Sequence, residues 1–212
     1  MKDTTLMILD DLVVRYPQLK LVKEDILNAF LILENAYKNG KKVLICGNGG
    51  SAADSEHIVG ELMKRFKKDR TLNKKTYNEL SKYGEEGLKL QHSLDESLRA
   101  IALTSHIALS TAFANDKEPK AVFAQQLYGL GDEGDVLISI STSGNSENCV
   151  LAATLAKAMN IKTISLTGKK DSKLSAISDV TIKAPETEVY KIQELHLPIY
   201  HSLCAMLEED FF

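Results

Sequence analysis

The chain has 212 residues, of which 44% are hydrophobic and 26% are charged, and its formal net charge is −3. This length suits one α/β domain, and this composition predicts a packed core and excludes a largely disordered chain. The slightly acidic balance offers no basic surface for nucleic acid, and no apolar run is long enough to span a membrane.

The three cysteines, Cys46, Cys149 and Cys204, have an odd count and no CxxC spacing. They stand in apolar or helical surroundings, so we predict reduced, buried thiols, as in a cytoplasmic protein. The N-terminal segment is too acidic, and its apolar run is too short, for a signal peptide.

Two amphipathic helices are predicted ahead of the first strand. The first covers about residues 4–16 and ends at Pro17, and the second covers about residues 20–37 and ends at Asn39-Gly40. We expect these helices to form an antiparallel pair. Their surplus apolar surface favours contact with another subunit.

A buried strand, a glycine turn and a helix then follow in direct succession. Residues 43–46 form an apolar run, residues 47–50 contain three glycines, and a helix is predicted from Ser51, a good N-cap residue, to about residue 66. The amides of such a turn and the dipole of the helix both attract an anion. His57 and Glu61 are four residues apart and share one helix face, which suggests chemistry on a small phosphorylated molecule.

The next segment, residues 67–94, is polar and rich in lysine. We interpret it as an insertion with helices near residues 76–83 and 85–91. Because it follows the helix that carries His57 and Glu61, it could fold over the site or lie on a neighbouring subunit. The sequence leaves both arrangements open.

The remainder of the chain alternates between buried strands and helices. The predicted strands cover residues 98–103, 136–140, 161–167 and 180–184. The predicted helices cover residues 105–114, 119–128, 147–159 and 172–177, and a last helix from residue 185 or 186 to about residue 209. This alternation predicts a single α/β domain over residues 1–212, with a doubly wound parallel sheet flanked by helices.

A second anion-binding loop is predicted at residues 141–146, with the sequence Ser-Thr-Ser-Gly-Asn-Ser. Its hydroxyls and amides lie between a buried strand and a helix, and they suit a tetrahedral dianion. An ordinary serine-rich turn would look the same in isolation. Its pairing with the glycine turn favours a binding site, although sulfate and sulfonate groups have a similar shape.

The glycine turn differs from the known nucleotide-binding motifs. It lacks the G-x-G-x-x-G spacing, and no acidic residue ends a second strand about 20 residues further on. The phosphate-binding pattern G-x-x-x-x-G-K-[ST] does not occur in the chain. We therefore predict no nucleotide cofactor.

His57 and Glu61 could form a metal pair, an acid/base pair or a surface ion pair, and an isolated pair is usually a surface contact. Their position just after the glycine turn favours a function. On the last helix, Gln193 and His201 are eight residues apart and share a face. Three of the five histidines, with His196 included, lie on these two helices, which strengthens the functional interpretation.

Six segments together resemble the phosphoheptose isomerases, a branch of the sugar isomerase (SIS) domain family. They are VLICGNGGS at 43–51, His57-x-x-x-Glu61, Asn115-Asp116, STSGNS at 141–146, SLTGK at 165–169, and IQELH at 192–196 with His201. The resemblance covers about residues 20–66 and 98–212, with the segments in the family's order and spacing. It implies the SIS fold and a homotetramer whose sites form between subunits.

The resemblance also implies roles for individual residues. Glu61 matches the family's catalytic base, and His201 matches its partner acid or base. His57 and Gln193 complete, with those two residues, the zinc-binding set of some members. The positions that match substrate-binding residues are Asn48, Gly49, Gly50, Ser51, Asp116, Ser141, Thr142, Ser143, Ser146 and Gln193.

The implied activity is aldose–ketose isomerisation of a sugar phosphate through an enediol, with sedoheptulose 7-phosphate as the first candidate substrate. Tyr190 and Lys191 stand where bacterial heptose enzymes have Asp-Arg, and residues 67–94 exceed the family's usual connection. Two alternatives therefore stay open. One is the same chemistry on another phosphorylated or sulfonated aldose. The other is a non-catalytic SIS protein that senses sugar phosphates or binds a partner protein.

Overall fold

A computed structural model describes residues 2–212, and in this range the chain forms five strands and ten α-helices. The strands are β1 (Val43–Gly47), β2 (Ala100–Ala102), β3 (Val136–Ile140), β4 (Lys162–Thr167) and β5 (Val180–Lys183). The helices are α1 (Asp3–Arg15), α2 (Lys23–Lys38), α3 (Gly50–Met63), α4 (Lys74–Leu80), α5 (Gly84–Ser93), α6 (Ile107–Asp116), α7 (Val122–Leu130), α8 (Glu147–Ala158), α9 (Lys173–Ile177) and α10 (Val189–Phe211).

The five strands form one parallel sheet in the order β2-β1-β3-β4-β5. Val43 of β1 is paired with Ala100 of β2 on one side and with Val136 of β3 on the other. The order runs outward in both directions from the β1–β3 pair, which is the topological switch point of a doubly wound sheet. Ligands of such sheets bind outside the carboxyl ends of the strands at this point.

Helices cover both faces of the sheet, as successive residues of β1 show. Val43 and Ile45 belong to a core that also contains buried residues of α1, α2, α3 and α10. Leu44 and Cys46 belong to a second core with α7, α8 and α9. The sequence of β1 is therefore a continuous apolar run because both of its faces are buried. The predicted fold class is confirmed.

The terminal helices differ in detail from the prediction. Residues 17–22 form a 3-10 helix, so α2 begins at Lys23 rather than near residue 20. Both N-terminal helices are present, but α1 packs mainly on α10 and contacts α2 less. The last helix begins at Val189 because Glu186 bonds through its carbonyl to Lys169 N–H and keeps this segment extended.

The segment between α3 and β2 carries α4 and α5 and adds little to the core. Helix α4 has no buried residue, and Gly87 is the buried residue of α5. Its status as an insertion, and the division of the chain into one domain, remain predictions. Over residues 2–212, no helix combines the length and apolar character required to cross a membrane.

Candidate active site

The two predicted anion-binding loops lie at the same edge of the sheet. One follows β1 and the other follows β3, and these strands are hydrogen-bonded neighbours from Val43–Val136 to Gly47–Ile140. Because both strands run in the same direction, their carboxyl ends bring the two loops together at the switch point. The loops thus form the base of the candidate site.

The glycine turn is shaped by one positive φ angle and one close approach. Gly49 is the N-cap of α3 with a φ of +56°, a conformation that favours glycine. A Cβ atom on Gly50 would lie 2.7 Å from Nε2 of Gln193, so the bare backbone admits this amide from α10. The helix therefore begins at Gly50, and Ser51, predicted as the N-cap, is a buried residue of its first turn.

The serine loop is held by its own hydrogen bonds at the N-terminus of α8. The hydroxyls of Ser141 and Ser146 lie 2.9 Å apart, and Ser146 is the N-cap of α8 without a side-chain capping bond. Gly144 adopts a φ of +64°, and its N–H donates to the carbonyl of Ser141. Thr142 is half-buried and Ser143 is exposed. The loop therefore presents hydroxyls close to the positive end of a helix dipole.

A reciprocal amide pair connects the two loops. Asn48 donates to Asn148 at 2.9 Å, and Asn148 donates back to Asn48 at 2.8 Å. Sequence reasoning assigned Asn48 to the substrate and missed Asn148. The signal was present, since Asn148 lies in the first turn of the helix after the serine loop.

Beside the serine loop, a cleft of about 250 Å³ separates it from the segments that follow β4 and β5. Thr142, Ser143, Lys169 and Lys170 contribute to its lining. Asp171 and Glu186 also line it, so the hydroxyl and ammonium groups that can bind an anion share the cleft with two acidic residues.

A second group of polar side chains lies between α3 and α10. Nε2 of His57 is 3.2 Å from Oε1 of Glu61, and the rings of His57 and His201 have centroids 4.9 Å apart. Oε2 of Glu61 and Nε2 of His201 are buried without a hydrogen-bond partner among the described residues. The ammonium of Lys64 is 3.7 Å from this Oε2. Two buried polar atoms are thus available to a ligand.

Burial affects the protonation of His201. Burial lowers the pKa of this imidazole, the neighbouring His57 lowers it further, and Glu61 opposes the shift. The neutral ring is favoured, and a neutral imidazole both donates and accepts a hydrogen bond.

His57 is also held from its other side. Its Nδ1 lies 3.1 Å from the hydroxyl of Tyr200, and that hydroxyl donates to Oδ1 of Asp54 at 3.1 Å. Burial raises the pKa of both Asp54 and Tyr200. Sequence reasoning gave neither residue a role, although Asp54 precedes His57 by one helical turn and Tyr200 precedes His201 directly.

His196, the remaining histidine of α10, is a core residue. It is fully buried, and its Nε2 lies 3.2 Å from the carbonyl oxygen of Thr167. Burial lowers its pKa to about 4. It therefore packs α10 against β4.

Comparison with known proteins identifies the family. Models described as SIS domains match residues 16–92 and 100–208. A phosphoheptose isomerase from Nitratiruptor sp. is 41% identical over 88% of this chain and 86% of the relative. The chain belongs to the SIS-domain phosphoheptose isomerase family. A phosphoheptose isomerase from Clostridium acetobutylicum is 39% identical over 89% of this chain and 84% of the relative.

A solved structure of the same family has the same overall fold. Phosphoheptose isomerase from Neisseria gonorrhoeae superposes with a TM-score of 0.74, at 31% identity, over 92% of this chain and 91% of that chain. The fold predicted from the resemblance is therefore that of a solved family member.

Three further features of the described chain bear on the predicted site residues, whose roles stay predictions. Asp116 lies exposed at the end of α6, where it accepts a hydrogen bond from Asn115. His201 lines a pocket of about 350 Å³ beside α1, and this pocket shares no lining residue with the cleft at the serine loop. Within residues 2–212, no three His, Cys, Asp or Glu side chains are arranged to hold a metal ion.

Proposed function

We propose that this protein is an aldose–ketose isomerase that interconverts sedoheptulose 7-phosphate and a heptose 7-phosphate. The relatives that it matches over most of their length are named phosphoheptose isomerases. The observation that carries the proposal is the pair of buried atoms, Oε2 of Glu61 and Nε2 of His201, that have no hydrogen-bond partner among the described residues. Aldose–ketose isomerisation needs a base, an acid and a binding site for the distal phosphate.

Glu61 is the proposed base. Its side chain is 12% exposed, and its Oε2, which accepts no hydrogen bond from the described residues, would remove the proton on C1 or C2 of an open-chain sugar. Arg70 donates to the backbone carbonyl of Glu61 at 3.0 Å and so fixes the end of α3. A base held in this way needs little reorganisation on reaching the transition state.

His201 is the proposed partner for the proton on oxygen. Burial and the neighbouring His57 lower its pKa, so its ring is neutral at neutral pH and can exchange a proton with a hydroxyl. The same ring could open the cyclic sugar by accepting the proton of the anomeric hydroxyl.

The serine loop is the proposed phosphate-binding site. Ser141, Thr142, Ser143 and Ser146 supply hydroxyl donors, and the N-terminus of α8 supplies the dipole. Ser51 and the amides of Gly49 and Gly50 are the proposed contribution of the other loop. The phosphate lies far from the reacting carbons of the sugar. Its binding can therefore position C1 and C2 without hindering the proton transfer between them.

A divalent ion, with zinc as the first candidate, is proposed for the same site. Its ligands would be His57, Glu61, Gln193 and His201. Two imidazoles, a carboxylate and an amide suit such an ion, and the unpartnered atoms of Glu61 and His201 are consistent with a missing ligand. When bound, the ion would act as a Lewis acid on the carbonyl oxygen.

We further propose that the protein is a cytoplasmic homotetramer with sites between subunits. Large apolar side chains are exposed on the N-terminal segment, with Met7 68%, Val14 75% and Leu21 79% accessible. Exposed apolar surface of this kind favours an interface. A partner could bring its own Asp116 to the site, and the free, buried cysteines fit a reducing compartment.

Hydrogen–deuterium exchange by NMR tests the activity. The protein, with and without zinc, would be incubated in D₂O with sedoheptulose 7-phosphate and with shorter aldose and ketose phosphates and sulfonates. We expect deuterium at C1 or C2 of sedoheptulose 7-phosphate. We expect Glu61→Gln to slow this exchange by about 10²–10⁴-fold, the usual contribution of a general base.

Glu133→Gln is the matched control, since Glu133 lies near the start of β3, at the opposite edge of the sheet. It should exchange at the wild-type rate. If deuterium entered only a different sugar, that sugar and not sedoheptulose 7-phosphate would be the substrate. No exchange with any compound, together with a raised melting temperature in their presence, would refute the isomerase and favour a sensor.

A further inference from the structure

Two asparagines from different loops face each other at the base of the candidate site. Asn48 belongs to the glycine turn that follows β1, and Asn148 lies in the first turn of α8, directly after the serine loop. Nδ2 of Asn48 donates to Oδ1 of Asn148 at 2.9 Å, and Nδ2 of Asn148 donates to Oδ1 of Asn48 at 2.8 Å. Two reciprocal bonds restrain both amide groups, whereas a single bond would leave each of them more free to rotate.

The orientation of the Asn148 amide follows from a backbone contact. The N–H of Cys149 donates to Oδ1 of Asn148 at 3.0 Å, and a backbone N–H can only donate. The accepting atom of Asn148 is therefore its oxygen, and its other terminal atom is the nitrogen. Because that nitrogen can only donate, the atom of Asn48 that faces it must be Oδ1. Asn148 thus selects one of the two orientations of the Asn48 amide.

The amide oxygen of Asn48 keeps a lone pair that no described residue engages. Nδ2 of Asn48 also lies 3.8 Å from Sγ of Cys149, which is buried, so this nitrogen faces the protein. Oδ1 of Asn48 accepts one hydrogen bond, from Asn148, whereas an amide oxygen can accept two. Asn48 is an exposed residue, so the second lone pair of Oδ1 is available to a ligand.

We propose that Asn148 is a positioning residue that directs the amide oxygen of Asn48 toward the bound sugar, so that Asn48 selects a hydroxyl group that donates a hydrogen bond. The inference deepens the proposed function and rests on it, because the ligand is taken to be a sugar phosphate. Asn148 lies in the first turn of the helix whose N-terminus would bind the phosphate. The phosphate-binding loop and the hydroxyl-binding oxygen are therefore held at a fixed separation.

Fluorinated analogues test the selection of a hydroxyl donor. In each analogue, fluorine replaces one hydroxyl of sedoheptulose 7-phosphate, and fluorine cannot donate a hydrogen bond. Binding is measured by isothermal titration calorimetry in the Glu61→Gln background, which prevents turnover. We expect one analogue to bind about tenfold more weakly than the parent sugar, the loss of about one hydrogen bond, and to lose this penalty in Asn48→Ala. If no penalty depends on Asn48, the inference is wrong.

Asn148→Ala should remove most of this selectivity although Asn48 is still present, because the freed amide can rotate and offer its N–H groups. The fluorine penalty at that position should fall to about threefold or less. Asn145→Ala is the matched control, since Asn145 lies in the serine loop but bonds to Ser143 O and Lys173 N–H instead of Asn48. It can weaken phosphate binding, but the tenfold penalty should remain. An undiminished penalty in Asn148→Ala would refute the positioning role.

A double-mutant cycle tests the amide pair without any ligand. Equilibrium constants of unfolding are measured by urea titration, at one protein concentration, for Asn48→Ala, Asn148→Ala and the double variant. The double variant should be less destabilised than the product of the two single effects, by about 3–10-fold, whereas the effects of Asn48→Ala and Asn145→Ala should multiply within about twofold. Independent effects of Asn48→Ala and Asn148→Ala would overturn the inference even if the protein proved to be an isomerase. Coupling without binding of any sugar phosphate would instead refute the proposed function, and with it the role of Asn148 toward the sugar.

Discussion

Replacing Arg70 with methionine should destabilise the protein strongly. Arg70 is 2% exposed, and its guanidinium donates to Oε1 of Glu208 at 2.8 Å, to Leu62 O at 2.7 Å and to Glu61 O at 3.0 Å. Oε1 of Glu208 also accepts the backbone N–H of Phe66 at 2.8 Å. The pair therefore joins the end of α3 to α10, the two helices that carry the proposed catalytic residues.

The expected magnitude follows from burial. The two side chains are 0% and 1% exposed, so Arg70→Met leaves a buried carboxylate without its counter-ion and removes one donor from each of two backbone carbonyls. Removing one partner of such a pair costs about 3–5 kcal/mol. For a chain of this length, about 1 kcal/mol shifts Tm by about 2–4 °C. We expect a loss of about 6–20 °C.

The backbone contacts of Glu208 sharpen this prediction. An isolated buried ion pair can often be replaced by two apolar residues without loss. Glu208 also accepts backbone N–H groups from Phe66, Lys67 and Lys68, at 2.7–3.1 Å. Arg70→Met with Glu208→Met would leave these three donors unpaired, so the double variant should remain at least as unstable as the single variant.

The assay is thermal unfolding, monitored by far-UV circular dichroism at one fixed protein concentration. Fixed concentration matters because subunit association would otherwise shift Tm. Lys82→Met is the control, since its ion pair with Glu79 is exposed. Unfolding of Arg70→Met within about 2 °C of wild type would refute the reasoning, as would recovery of Tm in the double variant.

Two further predictions concern pH and the serine loop. Burial lowers the pKa of His196 to about 4. The unfolded ring titrates near 6.5, so between about pH 6.5 and 4 only the unfolded chain takes up this proton, and the free energy of unfolding falls by up to about 1.4 kcal/mol per pH unit as pH decreases. The free energy of unfolding is measured by urea titration at several pH values. In His196→Gln it should no longer fall between about pH 6.5 and 4 for this reason, whereas in His92→Gln, at an exposed position, the fall should remain. Gly144→Ala should abolish protection by inorganic phosphate in thermal shift, because Gly144 has a φ of +64° and its Cβ would overlap Oγ of Ser172. Gly129→Ala, with open space around the added atom, should retain protection. An unchanged response of Gly144→Ala would contradict the assigned role of the loop.

The strands and the two loops could be predicted because their signals are local. Residues 136–140 are apolar except for Ser139 and are buried throughout, as a strand covered on both faces requires. The serine loop stands between that strand and a helix, so its place at the carboxyl edge followed from the order of elements. The first and last residues of the helices were predicted less accurately. The start of α10 was predicted too early, because the sequence does not show that the carbonyl of Glu186 accepts a hydrogen bond from Lys169 N–H.

The contacts that shape the candidate site could not be predicted, because they join residues far apart in sequence. Tyr200 lies 143 residues from His57, and Arg70 lies 138 residues from Glu208. The sequence singled out Tyr200 as one candidate on the last helix, but it could not show that the hydroxyl contacts the imidazole of His57. An arginine in a polar, lysine-rich segment reads as solvated. Both contacts act on α3 and α10 together, so the same pairings that hold the helices in register also set the positions of Glu61 and His57.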